Sequence, residues 1–302
     1  MQYIDKNNTN RTAGNQVTLD YLNAHCKDAS GHYDGVLYRD RTRTRPDFVS
    51  SDASLFYDRM VRILMDEQGC RCCYCLRRLQ EGIPNCDETV TIEHIVPQSF
   101  DDSNSAEFAE YANFAPSIKA NVVLSSAFQS QAGVQSMPPY PHKVAYDNMV
   151  VSCNGSFPYG INSGACCNIK RDKLKALPVY FLSDIAEQID YTKHGVVAAK
   201  GDAAQYEAIT KVIDNACLSC DSLKDIRRVW YELRGRDMAD IHACDTEDKR
   251  EKLLTDTFAS DLMVKNQNEA NRLITKFKNQ DYWHTLMLYD VFHEIMKTRF
   301  GE

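Results

Sequence analysis

A glutamate and a histidine stand side by side at residues 93 and 94, in the run Thr-Ile-Glu-His-Ile-Val-Pro-Gln-Ser, with cysteines on both sides. An imidazole titrates close to neutral pH, so His94 is suited to take a proton from water. Glu93 offers a hard oxygen of the kind Mg2+ or Mn2+ prefers, and Asn168 offers a neutral amide oxygen for the same ion. Asn148 can hold the loop that follows His94. Phosphodiester hydrolysis asks for such a set: an activated nucleophile, in-line geometry and stabilisation of charge on the leaving oxygen. A lone Glu-His pair is also what a plain surface strand end would show, and it gains weight from its flanks.

Cys70, Cys72, Cys73 and Cys75 precede the pair, and Cys153, Cys166 and Cys167 follow it. Structural zinc takes four thiolate or imidazole ligands in a tetrahedron, and a Cys-x-x-Cys knuckle supplies two of them. Cys72 to Cys75 and Cys70 to Cys73 share that spacing, so spacing alone leaves the register open. Cys153 with Cys166 or Cys167 offers the second pair. Cys217-Leu-Ser-Cys220 could donate instead, but it falls at a helix junction and reads as buried packing. Buried free thiols, which behave as small hydrophobes, are the competing account of all these cysteines.

The elements that must position these residues follow from periodicity. Residues 53 to 68 predict a helix with Phe56, Met60, Val61 and Leu64 on one face, started by Ser51 or Asp52 and stopped by Gly69. The cysteine knuckle comes next. Residues 89 to 95 alternate as a strand that Pro97 ends. Residues 148 to 152 are strand-like, and 167 to 176 read as a short basic helix whose Lys170 and Arg171 are candidate phosphate contacts. The segment 100 to 147, rich in Ser, Ala, Asn, Gln and Pro, reads as an insertion with one short helix. Residues 1 to 50 read as polar and irregular, then extended. There Arg39, Arg41, Arg43 and Arg45 recur every second residue and would share one strand face, as a phosphate-contacting strip or a solvated edge. Beyond 180 come a hairpin at 186 to 200 and helices near 203 to 216, 221 to 238, 247 to 277 and 281 to 299. The aromatic residues Tyr282, Trp283, Tyr289 and Phe292 of the last read as core. The division expected is an N-terminal segment 1–52, a site-bearing domain 53–180 and a mainly helical region 181–302 with an assembly role.

Composition narrows the setting. The chain has 302 residues, 43% of them hydrophobic, which suits a globular protein with a real core. No apolar run approaches the roughly 20 residues that span a bilayer, and the N-terminus has no apolar signal core. Together these predict a cytoplasmic protein. Seven of the 12 cysteines lie in the two clusters, and in a reducing compartment that favours metal ligation over disulfides. A net charge of −7 means that any nucleic-acid surface is local, or that another chain delivers the substrate.

The succession C-x-Y-C, IEHIVPQS, N-x-V-x-S-C and C-N-x-x-[KR] resembles the HNH (ββα-metal) endonucleases. EHIVPQSF is similar to the corresponding stretch of the HNH domain in the RNA-guided CRISPR effector nuclease. That resemblance implies an α+β chain, with a ββα-metal HNH nuclease core and structural zinc embedded in a mainly helical protein. It implies His94 as the water-activating base, Glu93 and Asn168 as Mg2+ (or Mn2+) ligands and Asn148 as the structural middle residue. It also implies a zinc register of Cys72, Cys75, Cys153 and Cys167. The chain departs from the common pattern in having Glu before the histidine and Asn at the third position. The interval from His94 to Asn148 is also long. It contains the competing run Asn121-Val-Val-Leu-Ser-Ser, but only Asn148 is followed in phase by a cysteine.

The opening MQYIDK, the phrase MDEQGCRCCYC and the run IDYTKHGVV resemble, more diffusely, the nuclease subunit family PtuB of the Septu anti-phage system, which is also found beside retrons. That implies a DNA substrate and a partner, an ABC-type ATPase subunit (PtuA-like). Two other readings stay open at this point: an endonuclease that cuts RNA, for instance tRNA, and an inactive zinc-stapled scaffold.

Overall fold

The computed structural model describes residues 1–25, 52–79, 90–129, 138–157, 165–171, 174–259 and 262–301. The arginine strip Arg39, Arg41, Arg43 and Arg45 lies outside them. The chain is mixed helix and sheet, and its contacts divide it into two units: Met1–Tyr74, Leu79–Cys153 and Asp172–Glu187 form one, and Cys75–Arg78, Asn154–Arg171 and Gln188–Glu302 the other. Neither is a continuous stretch.

In the first unit, helix α1 (Asn10–His25) packs on α2 (Asp52–Glu67). The α2 stripe is as expected: Phe56, Met60, Val61 and Leu64 are buried, at the i, i+4, i+8 spacing of one helix face. α1 replaces the irregular N-terminus expected from sequence. Its apolar positions are sparse, but Val17, Tyr21 and Leu22 are buried, and Thr18 Oγ1 donates to the Val144 carbonyl at 2.9 Å. Gly14 lets α1 approach this closely, since a Cβ there would lie 2.2 Å from the Tyr146 ring.

Strands β1 (Val90–His94) and β4 (Met149–Cys153) pair antiparallel, with His94 opposite Met149 and Val90 opposite Cys153. All of β4 is buried, and each of its large apolar side chains contributes roughly 2 kcal/mol by leaving water. Between the two strands, the segment expected to be an insertion with one helix holds three among the described residues: α3 (Ser105–Phe114), α4 (Pro116–Asn121) and α5 (Ser125–Gln129). It also holds a short parallel pair, β2 (Val122–Val123) with β3 (Tyr140–Pro141). Tyr111, Ile118, Phe128, Tyr140 and Val144 are buried, so this segment builds core. Its helices are too short to show a clear apolar period.

The second unit holds α6 (Cys167–Arg171), shorter than the helix expected over 167 to 176, and the hairpin of β5 (Ile189–Tyr191) and β6 (Val197–Ala199). Helices α7 (Tyr206–Asn215), α8 (Asp221–Leu233), α9 (Met238–His242) and α10 (Glu247–Phe258) follow. Then come α11 (Leu262–Lys265), α12 (Gln267–Phe277), α13 (Gln280–Met287) and α14 (Val291–Phe300). The helix expected at 247 to 277 is thus divided, with Asn266 capping α12 through the Glu269 N–H. The one expected at 281 to 299 breaks at Leu288–Asp290. α8 and α14 pack together around Trp230, whose indole N–H donates to the Leu286 carbonyl at 3.2 Å. Trp283, Tyr289 and Phe292 are buried core, and Tyr282 is half-buried. No described helix is long and apolar enough to cross a membrane.

Candidate metal centre and hydrolytic site

Four of the cysteines converge. One sulfur each from Cys72, Cys75, Cys153 and Cys167 lies within 4.8 Å of the other three, and all four residues are buried. Tetrahedral zinc with Zn–S bonds near 2.3 Å spaces its sulfurs about 3.8 Å apart, so this set fits a structural metal such as zinc. Cys70 is exposed; Cys73 and Cys166 are buried but outside the group.

Local features shape the knuckle. Gly69 and Cys70 both have positive φ, as does Leu76 beyond it, so the chain reverses on either side of Cys72 and Cys75. Gln68 locks the turn to β4. Its Oε1 accepts from the Val151 N–H at 2.8 Å, and its Nε2 donates to the carbonyls of Val151 and Arg71 at 2.8 and 2.9 Å. A buried glutamine thus serves as one more strand partner for β4. The far end of the knuckle docks within the second unit. Arg78 N–H donates to the Leu288 carbonyl at 2.7 Å, its guanidinium pairs with Asp290, and the Cys75 sulfur lies 3.7 Å from the Tyr289 hydroxyl. Gly155, with φ +76°, lets the Cys166 carbonyl pass where a Cβ would sit 1.7 Å from it. Cys217 and Cys220 are not in the four-sulfur group; Cys220 is buried at the start of α8.

The Glu-His pair ends β1. Glu93 is buried and His94 half-buried. His94 Nε2 lies 3.1 Å from the Lys143 carbonyl. A carbonyl only accepts, so this contact favours a ring proton on Nε2, with Nδ1 then the basic nitrogen. Burial pushes the His94 pKa down to about 4, against the opposing effect of the Lys143 carbonyl, so the ring is neutral at physiological pH. Gln98 meets the same nitrogen, its Nε2 3.1 Å away.

Asn148 sits in the 3-10 turn Tyr146–Asn148, fully buried. Its Oδ1 accepts from the Val96 N–H at 2.7 Å, and its Nδ2 donates to the carbonyls of Val96 at 3.0 Å and His142 at 2.6 Å. Its own carbonyl accepts from the Ile95 N–H at 3.0 Å. The turn after His94 is therefore tied at successive residues to one asparagine. The competing Asn121 is engaged elsewhere, donating to the Ser117 carbonyl at 2.8 Å.

Asn168 lies in the second unit, half-buried on α6. Lys170 is exposed, whereas Arg171 is 4% exposed; a phosphate-contacting helix face expects both to be open. Three residues near His94 escaped sequence reasoning: Gln98, His142 and Lys143. Gln98 lies within the motif itself, four residues after His94, where its amide carried no assigned role. His142 and Lys143 belong to a stretch without a motif, and what brings them to the site is the core-building role of 100 to 147.

No family model matches the chain, and no curated protein matches it either. The functional reading rests on the site itself.

Proposed function

We propose that the chain is a metal-dependent HNH-type endonuclease that hydrolyses phosphodiester bonds in DNA, serving in phage defence beside an ABC-type ATPase. The observation that carries this reading is the contact of His94 Nε2 with the Lys143 carbonyl at 3.1 Å, which favours a neutral ring with its basic nitrogen at Nδ1, at a strand end next to a buried carboxylate. The order of β1, β4 and α6 along the chain, with the four cysteines around them, supports a ββα-metal core. The acidic net charge supports delivery of substrate by a partner.

His94 Nδ1 takes a proton from water, and the Lys143 carbonyl stabilises the imidazolium that forms. The hydroxide attacks phosphorus in line with the 3′ oxygen. The P–O3′ bond breaks, leaving a 5′ phosphate and a 3′ hydroxyl once the leaving oxygen is protonated from solvent. Mg2+ (or Mn2+) would be held by Glu93, with Asn168 as the further ligand that the HNH resemblance implies, and would supply stabilisation of charge on that leaving oxygen. Asn148 keeps the turn after His94 in place. Zinc at the four cysteines is structural.

A side-by-side digest tests the substrate class. Plasmid DNA and transfer RNA are incubated with the protein, its ATPase partner and Mg2+, with an EDTA control. Cleavage of DNA that EDTA abolishes is expected. Cleavage of RNA alone would move the substrate to RNA, and cleavage of neither would leave a scaffold.

A further inference from the structure

One nitrogen of His94 has two neighbours that ask opposite things of it. The Lys143 carbonyl, 3.1 Å away, accepts and so requires a proton on Nε2. An amide N–H of Gln98, also 3.1 Å away, donates and so requires Nε2 bare. Both cannot be satisfied. The first arrangement leaves Nδ1 basic; the second puts the proton on Nδ1, where it can no longer take one from water.

The Lys143 carbonyl is held by its neighbour in sequence. His142 is fully buried. Its N–H donates to the Val123 carbonyl at 2.7 Å, and its carbonyl accepts from Asn148 Nδ2 at 2.6 Å. Its ring Nδ1 accepts from the Ser125 N–H at 3.1 Å, with the Ser125 hydroxyl at 3.2 Å. A backbone N–H only donates, so the neutral ring carries its proton on Nε2. That Nε2 is buried without a hydrogen-bond partner among the described residues. The Pro97 and Gln98 carbonyls are near enough to favour a proton on the ring, on the turn that carries Gln98. A buried donor held short of its acceptors is costly and calls for an explanation. Here the ring fills the space between the start of α5 and the 97–98 turn.

We propose that His94 is a tautomer selected by competition between Lys143 and Gln98, and that His142 is the positioning residue that decides it by holding the Lys143 carbonyl against the ring. This rests on the reading of His94 as the base, but it predicts a ring state that can be read without any cutting.

Full-length protein carrying 15N-histidine, zinc and Mg2+ is compared by NMR as wild type, His142→Ala, and each with Gln98→Met added. Ser125→Pro serves as an independent variant should His142→Ala not fold. It removes the N–H that anchors the His142 ring, at a first helical position where proline is tolerated. The wild type is expected to show His94 protonated on Nε2. His142→Ala and Ser125→Pro should move the proton towards Nδ1 and lower kcat about tenfold or more, with KM little changed. Adding Gln98→Met should restore both the Nε2 proton and most of kcat, which repair of mere structural damage would not do. An unchanged His94 tautomer in the variants, or no recovery with Gln98→Met, overturns the proposal. The tautomer shift without nucleic-acid cleavage by the wild type would leave the positioning role standing and remove the nuclease reading.

Discussion

Asn148 grips Val96 at both ends of its peptide: Oδ1 accepts from the Val96 N–H at 2.7 Å and Nδ2 donates to the Val96 carbonyl at 3.0 Å. The turn two residues after His94 is thus fixed by a side chain 52 positions away in sequence. Asn148→Ala would leave Val96 N–H, Val96 C=O and His142 C=O buried without that partner. At about 1 kcal/mol or more for each orphaned group, a loss of roughly 3 kcal/mol of unfolding free energy is expected, with cleavage reduced at least a hundredfold. Urea denaturation and a plasmid assay check this; a loss under 1 kcal/mol would mean the clamp is dispensable. Asn148→Asp should do no better, because it sets a carboxylate oxygen against two carbonyls.

The four-sulfur group predicts one zinc per chain by elemental analysis. Cys72→Ser, Cys153→Ser or Cys167→Ser should lose the metal and much of the fold, since a structural zinc supplies folding free energy directly. Cys70→Ser, at an exposed residue outside the group, should keep both. Full metal retention in Cys153→Ser would remove β4 from the site.

Asp147, beside the clamp, carries a pH dependence of its own. Burial above all holds its carboxyl up at about 6, with Glu67 adding to the rise while Arg11, Lys6 and Asn121 pull it down. An unfolded aspartate titrates near 3.9. Between about pH 4 and 6 the folded chain holds a proton at this site that the unfolded chain has released, so this contribution to stability falls as pH rises and is lost above about 6. Asp147→Asn should match the wild type below pH 4 and exceed it by roughly 3 kcal/mol above pH 6. His94 and His142, pushed down by burial to about 4 and about 3, bias the wild-type curve the other way. They are present in both proteins and cancel in the comparison. A constant difference across pH 4 to 7 would contradict the assignment.

What sequence could reveal depended on range. The α2 stripe, the Cys72 to Cys75 knuckle, β1 and β4 are written in local period and spacing, and they were expected nearly where they lie. α1 was not, because its few apolar residues gain meaning only against α2 and the 144–146 turn. The three helices between Ser105 and Gln129 bury Tyr111, Ile118 and Phe128 on faces too short to carry a period. Lys143 and His142 were invisible as site residues: what matters in Lys143 is a backbone carbonyl, which any residue supplies, and what places it is Asn148 and Ser125. The breaks at Asn266 and Leu288 fell inside continuous helical patterns, where a cap residue outweighs propensity.

The central claim is that His94 activates water for phosphodiester cleavage, and the most direct test is plasmid nicking by His94→Ala. The variant, loaded with zinc and combined with the proposed ATPase partner, is incubated with supercoiled plasmid and Mg2+ beside the wild type. The account predicts cutting by the wild type and a loss of a hundredfold or more in the variant, with zinc content and thermal melting unchanged. Undiminished cutting by a folded His94→Ala protein would contradict it.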